Sequence, residues 1–298
     1  MSKKSLLSMK IWGARGSIPT PGPTTLKFGG NTSCVEIRSG KHLIIIDAGS
    51  GIRELGRLLI KKSRLKIHLF LSHTHWDHIQ GFPFFEPGYI PGNQIFIYGP
   101  AKTNTSLEEI LVGQMSGPNF PVRLSQMGAQ IQFVDLEEGQ TIILKDRKGR
   151  REVKIINTAL NHPNGAFGYR VEHIKSGQSV VYASDTEHYL NRIDENLVRL
   201  AQGTELLYYD GQYTTDEYLG RKGNIPKIGW GHSTWEKGLE LAVVCQAKRL
   251  VLCHHDPAHN DQFVERVETE AKKKAAGLKK LPAGFRIVFS KERSVFEI

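Results

Sequence analysis

Cysteine is scarce in this sequence, with only Cys34, Cys245 and Cys253 among 298 residues. A disulfide framework is therefore excluded, and three thiols suit a reducing compartment. Cys253 precedes a histidine, as a metal ligand could. The alternation along residues 250–253 instead favours a buried strand residue at this position.

Long apolar runs are also missing, since none approaches the ~20 residues that a membrane-spanning helix requires. The segment 1–8 is too short, and too soon polar, for a secretory signal. We therefore expect a cytoplasmic protein with no membrane partner. Linkers, internal repeats and low-complexity segments are absent as well, so residues 1–298 are expected to form one domain.

Acidic residues are in deficit, with 30 Asp and Glu against 40 Lys and Arg, a formal net charge of +10. A positive excess favours anionic partners such as nucleotides, RNA or phosphoesters, without choosing among them. Part of the excess is local, because the lysines at 272–280 lie near the end of a predicted helix whose first half is acidic. This order complements the helix dipole, so a solvated helix face explains those lysines better than an RNA-binding patch.

Histidine and aspartate are concentrated in one short segment with the pattern H-x-H-x-D-H, formed by His73, His75, Asp77 and His78. It follows an apolar run at 67–71 that predicts a buried strand. An extended chain points His73 and His75 to the same side, while Asp77 and His78 can face a second position if the chain turns. Imidazole and carboxylate together suit zinc, manganese or iron, so the segment predicts a metal centre.

The same arrangement, a ligand-type side chain at the end of an apolar strand, recurs later in the chain. His162 follows the strand 153–160, Asp185 follows residues 180–183, and His254 follows residues 250–253; His232 lies just outside a capped helix. A carboxylate can bridge two cations through its two oxygens, which an imidazole cannot. The recurrence predicts a site for two metal ions. Asp47, after the strand 42–46, is expected either to orient a metal ligand or to cap the next turn.

The remaining pattern alternates strands with helices. Helical spacing or capping boxes predict helices over 52–60, from Ser106, over 190–200, from Ser233 through Ala247, and over 261–276. Arg15, in a loop rich in glycine and proline, is expected either to meet an anion near the site or to lie on a surface connection. Strand-rich halves that are each closed by helices indicate two sheets between helical layers.

Taken together, these motifs resemble those of the metallo-β-lactamase fold, an α/β sandwich of the αββα type with two mixed sheets between helical layers. The resemblance covers about residues 10–289 and is closest to the phosphodiesterase branch that includes ribonuclease Z. The segments that carry it are HPNGAFGYR at 162–170, SDT at 184–186, GHST at 231–234 and LCHHDP at 252–257. The last departs from the pattern L-x-H-x-S-P because Asp256 replaces serine, and this alignment makes His254 the ligand and His255 a neighbour.

The resemblance implies two divalent metal ions, most often zinc, with manganese as the common alternative. The implied ligands are His73, His75 and His162 for one ion, and Asp77, His78 and His254 for the other, with Asp185 bridging. Hydrolysis would proceed by metal-hydroxide attack on phosphorus, and the implied catalytic residues are His232, which would protonate the leaving oxygen or hold the phosphate, and Asp77. Relatives with this fold are often homodimers, so a homodimer is expected.

One departure from ribonuclease Z bears on the substrate. The single-domain bacterial enzyme carries a long arm that grips tRNA between the G-Y-R strand and the bridging-aspartate strand, whereas here only Val171 to Gln178 separate Arg170 from Ser179. Cyclic-nucleotide phosphodiesterases of this fold are similarly armless. We therefore expect a phosphodiesterase for small anionic phosphodiesters, above all cyclic mononucleotides, with RNA as a secondary partner.

Other functions remain as alternatives. The first is a ribonuclease Z-like RNA 3′-processing endonuclease, and the second is a non-catalytic module that binds metal or nucleotide. Asp77 and the GHST segment oppose β-lactam and thioester hydrolysis, which the same fold supports. A non-catalytic relative would be expected to lose ligands, whereas all seven ligand positions are filled.

Overall fold

Two seven-stranded sheets organise the computed structural model, which describes residues 6–62 and 64–298. Residues 1–5, which carry most of the segment judged against a secretory signal, lie outside this description. The first sheet has the order β14-β1-β2-β3-β4-β5-β6. Its strands are β1 Leu7–Gly13, β2 Cys34–Ser39, β3 His42–Ile46, β4 Lys66–Phe70, β5 Gln94–Pro100, β6 Gln130–Leu136 and β14 Val295–Glu297.

The second sheet has the order β13-β12-β11-β10-β9-β8-β7. Its strands are β7 Thr141–Lys145, β8 Arg151–Leu160, β9 Ala166–His173, β10 Ser179–Ala183, β11 Leu206–Asp210, β12 Arg249–Cys253 and β13 Arg286–Phe289. The α-helices are α1 Ile52–Leu59, α2 Trp76–Ile79, α3 Leu107–Gln114, α4 Glu195–Ala201, α5 Thr215–Tyr218, α6 Trp235–Cys245 and α7 Asp261–Ala276. Short 3₁₀ turns lie at Phe82–Phe84, Glu86–Tyr89 and Leu124–Gln126. No helix in the described part of the chain is long and apolar enough to cross a membrane.

Three apolar clusters show how the sheets and helices pack into layers. One lies between the sheets and includes Ile44, Phe70, Tyr182 and Val251. A second packs α4, α6 and α7 on the outer face of the second sheet, and a third packs α1 and α3 on the outer face of the first. Helical layers therefore cover both outer faces, which confirms the predicted αββα sandwich with two mixed sheets.

Parallel pairing on one side of each sheet determines where the functional residues can meet. Strands β3, β4, β5 and β6 run parallel in the first sheet. Strands β10, β11, β12 and β13 do so in the second. Strands β3, β10, β11 and β12 are buried on both faces, which explains their nearly continuous apolar sequences. Carboxyl ends of parallel strands share an edge, and ligands of open α/β sheets bind there.

Two helix predictions need correction. The helix predicted from residue 190 begins at Glu195, because the side chain of Asp194 accepts a hydrogen bond from Leu197 N and caps it there. The capping box predicted at Ser233 is wrong. Thr234 is the N-cap of α6, because the Ser233 hydroxyl instead accepts a hydrogen bond from Tyr209 OH at 2.9 Å. The helix also ends at Cys245, before the predicted Ala247. The capping box at Ser106 is confirmed.

Candidate metal centre

Sharp turns at strand ends aim several acidic and histidine side chains across one edge of the two sheets. Asp47 after β3, Asp185 after β10 and His254 after β12 have φ values of 63°, 60° and 62°. This left-handed region is sterically costly for residues with a Cβ, and such strain is often concentrated at functional sites. Each strand therefore ends in a turn that directs its side chain towards the edge of the sheets, at the cost of a strained backbone conformation.

The H-x-H-x-D-H segment adds four side chains from the end of β4. His75 is extended, with φ −63° and ψ 154°, and it precedes the short helix α2, which carries Asp77 and His78. The chain thus makes the turn that the sequence required for these two residues to face a second position. His73, Asp77 and His78 are buried, and His75 is partly exposed.

Ligand-type atoms gather in two adjoining groups, the first of which is His73, His75 and His162. His162 Nε2 lies 3.2 Å from His75 Nδ1, and the His73 ring centroid is 4.4 Å from that of His75. His73 Nε2 is buried and has no hydrogen-bond partner among the described residues. An orphaned buried nitrogen among other imidazoles fits a metal ligand.

The second group comprises Asp77, His78, Asp185 and His254. The facing Nε2 atoms of His78 and His254 are 3.4 Å apart. Asp185 lies between the groups, with Oδ2 3.2 Å from His78 Nε2 and Oδ1 3.2 Å from His254 Nε2. Its Oδ1 is also 3.9 Å from His73 Nε2 in the first group. The structure therefore brings together all seven side chains that the sequence nominated as ligands, in the two predicted sets.

Four of these imidazoles form a hydrogen bond through Nδ1 on the side away from the cluster, so that Nε2 faces the cluster. His73 donates to Ser72 Oγ at 3.0 Å, and His78 donates to Asp47 Oδ2 at 2.7 Å. His162 donates to the Gly231 carbonyl at 2.9 Å, and His254 donates to Gln212 Oε1 at 2.8 Å. Outer partners of this kind fix the tautomer and orientation of metal-binding histidines. Of the two roles considered for Asp47, the geometry favours orientation of a ligand.

The two groups differ in electrostatic character. Burial lowers the pKa of His73, His75 and His162, which favours the neutral imidazole that binds metals. Burial also disfavours the charged form of His254, but Asp185 and Asp77 outweigh it and raise the pKa of His254 to about 9. The pKa of His78 is raised in the same way, because nearby carboxylates overcome its burial. The two carboxylates of the second group therefore stabilise positive charge, and a metal ion would compete with protons for His78 and His254.

His232 borders both groups and depends on Asp210, which the sequence reading missed. His232 Nδ1 donates to Asp210 Oδ2 at 2.8 Å, and its ring stacks on His254 at 4.7 Å between centroids. Asp210 Oδ2 also accepts from the backbone N–H of Asp185 at 3.0 Å. Asp210 ends the apolar strand β11, so the signal that identified Asp47 and Asp185 would have identified it too.

Three neighbouring residues turn away from the cluster. His255 is buried, and its Nε2 donates to the Ser290 carbonyl at 2.8 Å, so His254 faces the other ligands, as the alignment expected. Cys253 is a buried strand residue, as expected. The loop that carries Arg15 lies near the site, as one of the two expectations held, since Ser17 N donates to Asp77 Oδ2 at 2.8 Å. Arg15 itself, however, is not free to meet an anion. Its side chain is fully buried, because its guanidinium donates to the carbonyls of Gly29, Asp256 and His259.

Comparison with known proteins identifies relatives that share this fold. The family described as "Beta-lactamase superfamily domain" matches residues 42–255. Ribonuclease Z of Pyrococcus horikoshii is 25% identical over 291 residues, covering 86% of this chain and 88% of that protein. The metallo-beta-lactamase fold protein YhfI from Bacillus subtilis superposes with a TM-score of 0.68 at 18% identity, covering 98% of this chain and 99% of that one. A diphosphatase from the PhnP family gives a TM-score of 0.66 at 17% identity, with 98% of each chain covered.

Proposed function

Since this chain belongs to the beta-lactamase superfamily and is a metal-dependent hydrolase of its phosphodiesterase and nuclease group, we propose that it hydrolyses small phosphodiesters, above all cyclic mononucleotides. Residues 1–298 would act as one domain, because the candidate ligands come from both sheets. A homodimer is part of the proposal. Exposed apolar side chains such as Trp76 and Phe84 could serve as its contact surface.

The connection between β9 and β10 is the observation that carries this choice of substrate. Only residues 174–178 join the two strands, and His173 N donates to the Gln178 carbonyl at 2.9 Å to close a tight hairpin. Ribonuclease Z carries its tRNA-gripping arm at this position. Enzymes that bind a substrate far from the scissile bond use that binding energy to lower the barrier at the reacting centre. A chain with a short hairpin here would gain little additional binding energy from a large RNA.

The seven clustered side chains would hold two divalent ions, with zinc as the first choice and manganese as the second. His73, His75 and His162 would hold one ion, Asp77, His78 and His254 would hold the other, and Asp185 would reach both. When bound, such ions polarise a phosphoryl oxygen and provide a nucleophile at neutral pH. The orphaned Nε2 of His73 and the close approach of the Asp77 and Asp185 carboxylates to His78 and His254 support this assignment.

His232 is the proposed proton donor to the leaving oxygen. Asp210 accepts the hydrogen bond from its Nδ1 and fixes the ring, so Nε2 is the atom left to deliver a proton. A carboxylate that orients an imidazole through Nδ1 is the same arrangement that serves hydrolytic triads. Asp77, a ligand-type residue of the second group, is the other proposed catalytic residue. Its Oδ2 accepts from the backbone N–H of Ser17 at 2.8 Å, which fixes the carboxylate in place.

RNA processing is the second candidate, because a relative named ribonuclease Z aligns over most of this chain and the net charge is +10. Contacts to many phosphates weaken steeply as salt increases. Hydrolysis of RNA by this chain should therefore be salt-sensitive, whereas hydrolysis of a cyclic mononucleotide with one charge should change much less.

The decisive test compares both substrates on one metal-loaded preparation at low and physiological salt. We expect a higher kcat/KM for a cyclic mononucleotide than for precursor tRNA at both salt concentrations, and about two metal ions per chain, as the two-ion site requires. Asp185→Asn should lower the content of both ions and abolish turnover. Efficient, salt-resistant cleavage of precursor tRNA at its 3′ end, without turnover of any cyclic nucleotide, would replace this proposal with the second candidate.

A further inference from the structure

Trp230 is an exposed indole next to the candidate centre that the proposed chemistry does not use. It lies two residues before His232, in the loop between α5 and α6. Its residue surface is 52% exposed, whereas Trp12 and Trp235 are almost completely buried. Tryptophan is enriched at interfaces, because its ring offers a large apolar face and its N–H a polar group.

A buried carboxylate fixes the backbone on both sides of this indole. Glu187 Oε1 accepts hydrogen bonds from Gly229 N at 2.8 Å and from Tyr218 OH at 2.6 Å. Glu187 Oε2 accepts from Gly231 N at 2.9 Å. The two residues that flank Trp230 thus donate hydrogen bonds to the same side chain. Glu187 follows Asp185 by only two positions in the sequence. The loop presents Trp230 in a defined place before any ligand arrives.

The glycine after Trp230 links this loop to the metal cluster. Gly231 has φ +87°, and a Cβ there would lie 2.3 Å from His162 Nδ1. Its carbonyl accepts the hydrogen bond from that same Nδ1 at 2.9 Å. Only glycine permits both the backbone conformation and this close approach. The position of Trp230 is therefore tied to a proposed metal ligand through a single residue.

A cation occupies part of the indole surface. Lys227 Nζ lies 4.0 Å from the Trp230 ring centroid and 6.0 Å from that of Tyr213. The Tyr213 ring in turn lies 6.2 Å from the ring of His232. Lys227 and Trp230 thus lie together, and the Tyr213 ring lies between Lys227 and the proposed proton donor. Trp230 is half-exposed with this lysine over its ring, so part of the indole surface remains open to a flat ligand.

We propose that Trp230 is the stacking platform for the nucleobase of the substrate, which makes the preferred substrate a phosphodiester that carries an aromatic base. This inference rests on the proposed function and names the part of the substrate that the loop recognises. Stacking on an aromatic side chain tolerates every base, because each has a π face. The platform therefore selects for the presence of a base rather than for its identity. Because the loop is already fixed, little ordering entropy opposes binding.

The test compares a cyclic ribonucleotide with a cyclic ribose phosphate that lacks the base. Alanine substitution of stacking residues lowers binding by about 5- to 150-fold per base. Trp230→Ala should therefore raise KM for the cyclic nucleotide by that factor with little change in kcat, and leave the base-free substrate unaffected. Trp230→Phe, which keeps a ring, should lose less. Ile225→Ala, an exposed apolar position on the same loop, serves as the matched control and should behave like the unmodified protein.

Two results would overturn the inference while leaving the proposed function intact. One is an unchanged KM for the cyclic nucleotide in Trp230→Ala. The other is an equal loss on both substrates, which would indicate general damage to the site. If the unmodified protein hydrolyses neither substrate, the proposed function fails separately. Tryptophan fluorescence then decides the inference, because a nucleoside monophosphate should quench it in the unmodified protein but not in Trp230→Phe, and equal or absent quenching in both would refute it.

Discussion

Asp47→Asn tests how far the candidate ligands depend on the side chains behind them. Asp47 Oδ2 accepts from His78 Nδ1 at 2.7 Å, from Ser72 Oγ at 2.8 Å and from Tyr182 OH at 2.6 Å. Asp47 Oδ1 accepts from Ser72 N at 2.7 Å. An asparagine retains the shape but replaces one acceptor oxygen with an NH₂ donor. Either orientation of the amide therefore faces at least one donor with another donor.

The loss should be largest at His78. If the amide NH₂ faces His78 Nδ1, that nitrogen must accept, and the proton moves to Nε2, which faces the cluster. An imidazole protonated at Nε2 cannot bind a metal through that atom. Loss of an outer partner typically costs 10–100-fold in metal affinity, about 1.4–2.7 kcal/mol. The ion at His78 should weaken by this amount. The ion at His73 should weaken less, because Asp47 reaches it only through Ser72.

Zinc titration of the metal-free protein against a chromophoric chelator measures both affinities. Tyr182→Phe is the matched control, because it removes one neutral donor to the same carboxylate but leaves His78 Nδ1 its acceptor. We expect a much smaller change in zinc affinity for this control. An Asp47→Asn protein that binds both ions as tightly as the unmodified protein would refute the reasoning, and so would equal losses in the two variants.

The remaining predictions concern His254, His232 and His68. His254→Ala should release one ion and abolish turnover, whereas His255→Ala should keep both ions and lose only folding stability. Elemental analysis and activity assays of the two variants check this prediction. The reverse ranking would contradict the proposed ligand set. His232→Ala should keep both ions and lose about 10²–10⁴-fold in kcat on alkyl phosphodiesters but less on p-nitrophenyl esters, so equal losses would leave His232 only a positioning role. Burial lowers the pKa of His68 to about 3; the folded protein therefore binds fewer protons than the unfolded chain below pH ~6.5, and stability falls as the pH decreases. Between pH 7 and 4.5, urea unfolding of the chelator-treated protein should lose about 2–3 kcal/mol more than His68→Gln, and parallel pH profiles would show that His68 does not titrate in this way.

The sequence predicted much of the candidate site because one rule connects it to the fold. Residues directly after apolar strands lie at the carboxyl edge of a sheet, and parallel strands bring these edges together. Asp185, His162 and His254 were found in this way, although they lie far apart in the chain. Asp210 obeys the same rule, because it is the last residue of the apolar strand β11, although it was not among the predicted site residues. The pairing of residues into two groups came from the family resemblance, since spacing alone does not say which strands are neighbours.

The errors occurred where a side chain has several potential partners. Ser233 and Thr234 both suit a helix cap, and only the folded core shows that Tyr209 OH binds the serine hydroxyl. Arg15 was expected either to meet an anion near the site or to lie on a surface connection, because its loop is rich in glycine and proline. Its guanidinium is buried because backbone carbonyls from distant segments converge on it. Local sequence contains no signal for such convergence, which depends on how the whole chain closes.

The left-handed turns at Asp47, Asp185 and His254 have an evolutionary consequence. Asparagine, aspartate and histidine are the residues other than glycine that enter this region most readily. Folding and metal binding thus favour overlapping residue types at these positions. A descendant that had lost its metals would still be restricted there by the backbone, so polar residues at these turns would persist after activity was gone. His73, His75 and His162 are outside this constraint. Their replacement would be the earlier sign that a lineage had abandoned the chemistry.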